Sequence, residues 1–523
     1  MGAVRTITRN VFSNFAGYFV GMVVGFLLTP YVLHQLGSEK WGLWTTIVAF
    51  TGSYGLLDLG IRSAVGHYVT RYWAQQDLEG VNRTFATSLV ITGAIAILLV
   101  FVTMTLAFLS PLFLEVTGLE TNDLRVVILI MGIGVALNFP LAVFGSAAYA
   151  RQRFDIASAM GIFERLASAA GYIWVLEEGW GLLGVACITS IVPTIANLLR
   201  MWIAFQLLPG LRLTTKLVKL ISVKELFNFG TFNAFSNAAD LLVIYSDTVV
   251  IVLVLNGIAV AHYNIGAYAI TQSMSLINAM AWTLTPYATK LDTQGDYAGL
   301  RRLWITGTRV IVLVGSLLAG GMVLLGQDFL NLWVKPENQN LVQAGGEYTS
   351  GAVIMAILAG TVFVRAAMSC GKQILFGVQE VKFLAKNSFG TALFNIVLSA
   401  TLIWFLGIVG VAIASVCAFA LMQLWFQPLF LARRIEESVW TFLRPVLWIP
   451  VVVIGPMAAM RWILDDSLVI DGWGDFVLEG FAVAIPGLLC GMVFGLSSIE
   501  KDKLRAQFRR FLGGRDPFAS NGL

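Results

Sequence analysis

Three consecutive pieces of one stretch decide the fold: Trp44-Thr45-Thr46-Ile47-Val48-Ala49-Phe50, then Asp58-Leu59-Gly60-Ile61-Arg62, then Gly66-His67-Tyr68-Val69-Thr70-Arg71-Tyr72. The first is a continuous apolar run. The last alternates apolar and polar residues at helical spacing and reads as an amphipathic surface helix. Between them stand one acid and one base at i, i+4, which share a helix face and can pair. An unpaired Arg or Asp in hydrocarbon costs about 2.5–3.5 kcal/mol even on the lenient insertion scale. Two readings follow. Arg62 snorkels to the interface with Asp58 as its neutraliser, or both side chains face an aqueous cavity inside a bundle.

The chain around this stretch has 523 residues, 58% hydrophobic and 12% charged. A soluble domain is about a quarter charged, so this is an all-α polytopic membrane protein. A net charge of +4 gives nucleic-acid binding little support. Cys187, Cys370, Cys417 and Cys490 stand singly on apolar segments, and only three histidines occur. They read as small packing residues, with no metal site or disulfide framework implied. Arg5 and Arg9 lead into a long apolar segment without a small-residue cleavage site, so the first span is expected to be retained.

Apolar runs of about 20 residues fall near 11–33, 41–62, 86–110, 125–149, 156–176, 181–207, 226–254, 262–286, 304–326, 348–370, 383–405, 409–432, 442–463 and 474–497, an expectation of fourteen spans. Alternate connections then divide the basic residues 27 to 4, with Arg165, Arg200 and Arg365 inside spans. The positive-inside rule places the rich side, and both termini, in the cytoplasm.

The chain also repeats at an offset of 219 residues. Leu36 meets Leu255, Tyr68 meets Tyr287, Thr70 meets Thr289, and Asp77 and Gly80 meet Asp296 and Gly299. Asn14 in the first span meets Asn233 in the seventh. Six spans per repeat is an even number, so the halves insert in the same sense. Carriers built from such parallel repeats bind substrate between the halves near the midplane. The expected division is a first lobe over 1–207, a basic linker over 208–225, a second lobe over 226–435, an unrepeated pair of spans over 436–499 and a basic tail over 500–523. That tail, and residues 63–78 and 282–298, read as amphipathic helices on the anionic leaflet. The Asp58–Arg62 pair is not shared: its counterparts at the same offset are Ile277 and Ala281.

The order of motifs carries a resemblance. An Asn-bearing first span leads to Pro30-Tyr-Val-Leu-His-Gln-Leu-Gly37-Ser-Glu-Lys-Trp41-Gly42-Leu-Trp44, then Leu57-Asp58-Leu-Gly60, the amphipathic helix and Asp77-Leu-Glu-Gly80. The second half has Asp247-Thr-Val-Val-Ile, His262-Tyr263-Asn-Ile-Gly, Pro286 and Gly295-Asp296. This resembles the polysaccharide transporter (Wzx-like O-antigen flippase) family of the multidrug/oligosaccharidyl-lipid/polysaccharide superfamily. The resemblance covers spans one to twelve and fits the fourteen-span total. It implies a flippase of the bacterial inner membrane, not an enzyme, that carries polyprenyl-diphosphate-linked oligosaccharide from the cytoplasmic to the periplasmic leaflet. It further implies a two-lobed bundle with a hydrophilic central cavity, no cofactor, coupling to H⁺ or Na⁺ or the membrane potential, and a polymerase or chain-length regulator of the same pathway as partner. No nucleotide-binding loop occurs, in keeping with that picture.

Such a substrate needs cations for its diphosphate, and Arg suits it through its bidentate fork. The candidates are Arg62, Arg165, Arg309 and Arg365, with Arg200 behind them; snorkelling at the cytoplasmic end is the bland alternative for each. Glu164 cannot share a face with Arg165, so one of the two is expected to pair elsewhere. Asn233, Asn237, Asp240 and Asp247 form one stripe on the seventh span. They suit a proton or Na⁺ site, or hydrogen bonding between helices. Asn14 and Tyr18, the first-half counterparts of Asn233 and Asn237, suit glycan contact. Three other classes compete. A drug antiporter would favour an acidic, aromatic cavity over an Arg-rich one. A peptidoglycan-precursor flippase would share the diphosphate chemistry. A glycan polymerase or ligase would need a catalytic outer loop, and the outer connections near 111–124 and 327–347 lack an acid/base constellation.

Overall fold

A computed structural model describes residues 2–58, 60–112, 121–151, 153–218, 220–334, 336–343, 348–464, 472–497 and 501. Within these, the side chains of residues 2–16, 18, 215, 220, 221, 228–237, 240 and 244 are outside the description, as is the basic tail beyond Lys501. The described chain is helical throughout. It runs α1 (Gly2–Gly52), a 3₁₀ turn (Ser53–Asp58), α2 (Ile61–Ala74), α3 (Leu78–Leu109), α4 (Thr121–Leu141), α5 (Ser146–Ala150), α6 (Phe154–Glu177), α7 (Gly181–Leu207) and α8 (Leu220–Val254). It continues through α9 (Gly257–Trp282), α10 (Thr285–Thr293), α11 (Tyr297–Trp333), α12 (Gly351–Gly377), α13 (Val381–Leu406), α14 (Ile408–Ala418), α15 (Leu424–Arg434), α16 (Val439–Leu464) and α17 (Trp473–Cys490).

Ten of the described helical segments are long and apolar enough to cross a membrane, and the protein is a multi-pass membrane protein. One of the ten, Phe19–Asp58, joins the runs expected at 11–33 and 41–62. The connection between them is itself helical, broken only at Gly37, whose φ of 77° lies in the left-handed region that glycine tolerates. The runs expected at 156–176 and 262–286 fall on α6 and α9, and that at 226–254 on α8, of which Leu241–Val254 is the apolar stretch. These helices carry polar residues within their length, among them Glu164, Arg165, Asn264 and Gln272. A helix packed against polar neighbours need not be apolar all round. The expected linker is shorter than 208–225, because α8 begins at Leu220.

Helices α1 to α7 pack mainly among themselves, as do α8 to α15, and α16 and α17 lie on α11. The groups meet along α1, α2 and the Ser53–Asp58 turn on one side and α8 and α9 on the other. At the end away from the basic connections the meeting is backbone on backbone. A β-carbon on Gly42 would sit 1.7 Å from the Gly257 carbonyl oxygen. Nearby, Pro30 has no N–H, so the Phe26 carbonyl one turn earlier lacks its helical donor. Trp333 Nε1 of α11 donates to that carbonyl at 2.8 Å. His34 and Glu337 approach to 3.4 Å across the same junction.

The repeat is visible in the caps. Asp77 accepts from Gly80 N at 2.8 Å where α2 gives way to α3, and Asp296 accepts from Gly299 N at 2.8 Å where α10 gives way to α11. The halves differ just upstream. The first leaves its span early, through the 3₁₀ turn and left-handed Gly60 (φ 71°). The second stays helical to Trp282, then starts α10 at Thr285 with Pro286 in its first turn. The counterparts of Asp58 and Arg62, Ile277 and Ala281, are therefore fully buried helix core.

Candidate functional site

Gly60 turns the chain so that Asp58 ends the span and Arg62 begins α2. Arg62 Nε lies 3.1 Å from Asp58 Oδ1, with Arg62 47% exposed and Asp58 20%. The guanidinium stacks on Phe139 of α4 at 5.1 Å. It stands between two cavities of about 250 Å³ each. One is lined by Asn197 and Arg200 of α7, with Tyr149 and Met160. The other is lined by Asn138 of α4 and Thr189 and Asn197 of α7. Both apolar spans contribute intramembrane Asn, and these residues join into one chain. Asn138 donates to Thr194 Oγ1 at 3.0 Å, Asn197 donates to Asn138 Oδ1 at 2.7 Å, and Arg200 donates to Asn197 Oδ1 and Glu164 Oε2 at 2.6 Å each.

Glu164 thus pairs with Arg200 across α6 and α7, not with Arg165. Arg165 points the other way, to the Gly17 carbonyl of α1. Gly21 gives it room, since a β-carbon there would lie 2.7 Å from the guanidinium. Asn138, Asn197 and Thr194 did not figure among the sequence candidates. Their signal was present, as Asn inside an apolar run that must find a partner.

The second candidate centre is Asp247 on α8, which is buried. Its carboxylate accepts the hydroxyls of Tyr263 at 2.6 Å and Ser415 at 2.7 Å, and Ser399 approaches at 3.4 Å. Asn395 donates to Ser415 at 2.8 Å and closes the cage. These donors come from α9, α13 and α14. The cage is built of oxygen groups and is chemically suited to a protonated carboxyl or a small hard cation. Arg365 of α12 is not part of it. It stacks at 5.0 Å on Phe419, which opens the π-helical turn Phe419–Gln423 between α14 and α15. Such turns gather at functional sites. Arg309 stands apart from Arg62, in a groove formed with α16 and the end of α17. Asn14, Tyr18, Asn233, Asn237 and Asp240 lie outside the described side chains.

Comparison with known proteins agrees with this architecture. The sequence profile of a family described as polysaccharide biosynthesis protein matches residues 7–292. The uncharacterized membrane protein EpsK of Bacillus subtilis is 23% identical over 97% of this chain and 99% of its own. The probable low-salt glycan biosynthesis flippase Agl15 of Haloferax volcanii is 20% identical over 79% of this chain and 81% of its own. Among solved structures, the lipid II flippase MurJ in an inward closed conformation is similar over 97% of this chain and 99% of its own, with a TM-score of 0.64 at 13% identity. An inward-facing multidrug resistance MATE family transporter of the MOP superfamily is similar over 80% of this chain and 94% of its own, with a TM-score of 0.65 at 12% identity. The likeness to these structures is one of fold.

Proposed function

We propose, from the premise that the chain belongs to the polysaccharide biosynthesis protein family, that it is a flippase for polyprenyl-diphosphate-linked oligosaccharide. Transport runs from the cytoplasmic to the periplasmic leaflet of the bacterial inner membrane, with both termini cytoplasmic. The glycan crosses between lobes 1–207 and 226–435, which expose it alternately to each side; the isoprenoid tail stays in lipid.

The observation that carries this reading is the setting of Arg62. It is half-exposed, paired with one carboxylate, and flanked by two mainly apolar cavities into whose lining Asn138, Thr189, Asn197 and Arg200 bring polar groups. An ion pair this accessible to solvent is weakly held. A diphosphate carries more charge than Asp58 and offers a bidentate match to the guanidinium, so it displaces Asp58 on entry. The Arg200–Glu164–Asn197–Asn138 chain supplies donors and acceptors for the first sugars. Arg365 acts as a second cation on the opposite lobe, and Arg165 of α6, turned toward α1, as a third. Asp247 is the coupling group: proton or Na⁺ occupancy of its cage shifts the packing of α8 against α13 and α14. A peptidoglycan precursor presents the same diphosphate, and the fold likeness to the lipid II flippase favours keeping it as the second reading. A cation antiporter is disfavoured by the arginine at the cavity.

Complementation tests the reading. In a strain lacking this chain, Arg62→Ala is expected to lower surface glycan at least ten-fold at unchanged membrane abundance. Loss of a charged hydrogen bond of about 1.5–3 kcal/mol predicts that scale. Normal glycan with Arg62→Ala and with Arg365→Ala would remove headgroup capture from the account.

A further inference from the structure

At the end of the molecule away from the basic connections, a knot of rings joins three helices of different standing in the chain. Phe329 and Trp333 are i, i+4 on α11, so they share a face, and they stack at 5.5 Å. Trp473 and Phe476 lie in the first turn of α17, their ring centroids 5.9 Å apart. Phe26 of α1 enters between the two pairs, 6.1 Å from Phe329, 6.0 Å from Trp333 and 5.5 Å from Trp473. Helix α1 belongs to the first helix group, α11 to the second and α17 to the unrepeated pair. That pair is braced to α11 right beside the knot. Arg461 of α16 pairs with Asp328 of α11 at 3.1 Å, and at 2.8 Å with Glu479 of α17, which is fully buried. A β-carbon on Gly487 would lie 2.5 Å from Met457, so α16 and α17 pack with their backbones close. Helices α11, α16 and α17 thus form one unit, and Trp473 carries that unit onto α1.

We propose that Trp473 makes the unrepeated pair of helices a latch, which holds α1 against α11 in the outward-closed state of the carrier. The inference rests on the alternating-access reading above and deepens it. In that reading, outward opening parts α1 from α9 and α11. The contacts it must break within the repeated halves are the close approach of Gly42 to Gly257, the Trp333 Nε1 bond to the Phe26 carbonyl, and the packing of Phe26 on Phe329 and Trp333. Trp473 adds to these from outside the repeat. Its ring meets Phe26 edge-on, at 68° between planes, an arrangement that favours aromatic pairs beyond the area they bury. A contact made in only one of two states shifts the population toward that state by its own free energy. Trp473 is 41% exposed, so it closes over Phe26 from the margin of the knot and can withdraw without leaving a hole in the core. The unrepeated pair thereby acquires a task of its own, to set how readily the outer side opens.

Distances between spin labels on the full chain in lipid vesicles provide the test. With the four native cysteines replaced, labels attach through Glu178→Cys at the end of α6 and Asn340→Cys in the turn after α11, both exposed positions. The wild-type background should give mainly a short distance. Trp473→Ala should raise the fraction at long distance about two- to ten-fold, the range that one aromatic pair supplies. Trp473→Leu, which keeps apolar bulk without the ring, should shift it in the same sense, and Trp473→Phe should hold the wild-type distribution. Trp462→Ala removes a tryptophan of α16 that is 81% exposed and should change nothing. An equal shift with Trp462→Ala overturns the latch. So does an unchanged distribution in Trp473→Ala and Trp473→Leu while Phe26→Ala opens the outer side, and that result leaves the alternating carrier standing. One fixed distance in every variant, Phe26→Ala included, overturns the latch and the alternating-access reading together.

Discussion

Arg62 is the residue on which the functional reading turns, and its chemistry is that of an exchangeable partner. Held by Asp58 at 3.1 Å but nearly half-exposed, it keeps its charge in place without a buried ion pair that a substrate would have to break. Arg62→Lys keeps the charge and loses the planar fork. It is expected to support intermediate export, measured as surface glycan, where Arg62→Ala supports almost none. Asn197 has a different role. It joins Asn138 to Arg200, and truncating it leaves buried polar groups unpaired at a cost of about 1–3 kcal/mol. Asn197→Ala should therefore lower the melting temperature in detergent, whereas Arg62→Ala should not. The sequence singles out Arg62, Asp58 and Asp247 as candidates because charge inside an apolar run is visible by itself. It did not reveal that Glu164 pairs with Arg200, nor that Ser399, Ser415 and Asn395 surround Asp247. Those relations join helices far apart in the chain, and small polar residues inside spans look alike until packing selects among them.

Among the elements, the junction of α1 with α9 and α11 sets how the two helix groups meet. Gly42→Ala puts a β-carbon into the Gly257 carbonyl, which backbone cannot accommodate without separation. Cysteines at positions 34 and 337 should cross-link several-fold more slowly in that background; an unchanged rate would show that Gly42 does not set the junction. At the other end, Glu437 fixes the entry of α16. It accepts Ser438 N–H at 3.0 Å and the Thr441 hydroxyl at 2.9 Å and pairs with Arg301 at 2.5 Å. The Ser438 amide first, then Thr441 and Arg301, hold its carboxyl below the usual carboxylate value. A depressed carboxylate stabilises the folded state above its unfolded value of about 4.3 and loses that contribution as pH falls through the folded value. The stability difference between the wild type and Glu437→Gln, read by thermal melting, should be present at neutral pH and shrink below about pH 4. Apolar run length located most of the helices. It missed the continuity of α1, because Leu36-Gly37-Ser38 reads as a loop, whereas the helix runs up to Gly37 and resumes directly after it.

For the whole molecule, the repeat and the charge asymmetry are the basis of the proposed orientation in the membrane. Cysteine substituted for exposed Lys216 should label only from the cytoplasm, and for exposed Asp123 only from outside; the reverse would invert the proposed direction of every step. The 219-residue repeat was legible from polar positions such as Asp77 and Asp296, and their matching caps give it a physical cause. The asymmetry imposed on that repeat was legible only in part. The sequence placed Ile277 and Ala281 opposite the ion pair, but the early exit of the first half at Gly60 becomes apparent only when the helices end. The account as a whole rests on one claim, that this chain moves a diphosphate-linked glycolipid between leaflets and that Arg62 engages its headgroup. Transfer of a fluorescent polyprenyl-diphosphate oligosaccharide across reconstituted vesicles, read by accessibility to an external lectin, measures it directly. The account predicts transfer with the wild type at a rate well above protein-free vesicles, and at least ten-fold slower transfer with Arg62→Ala; equal rates for the wild type and empty vesicles would contradict it.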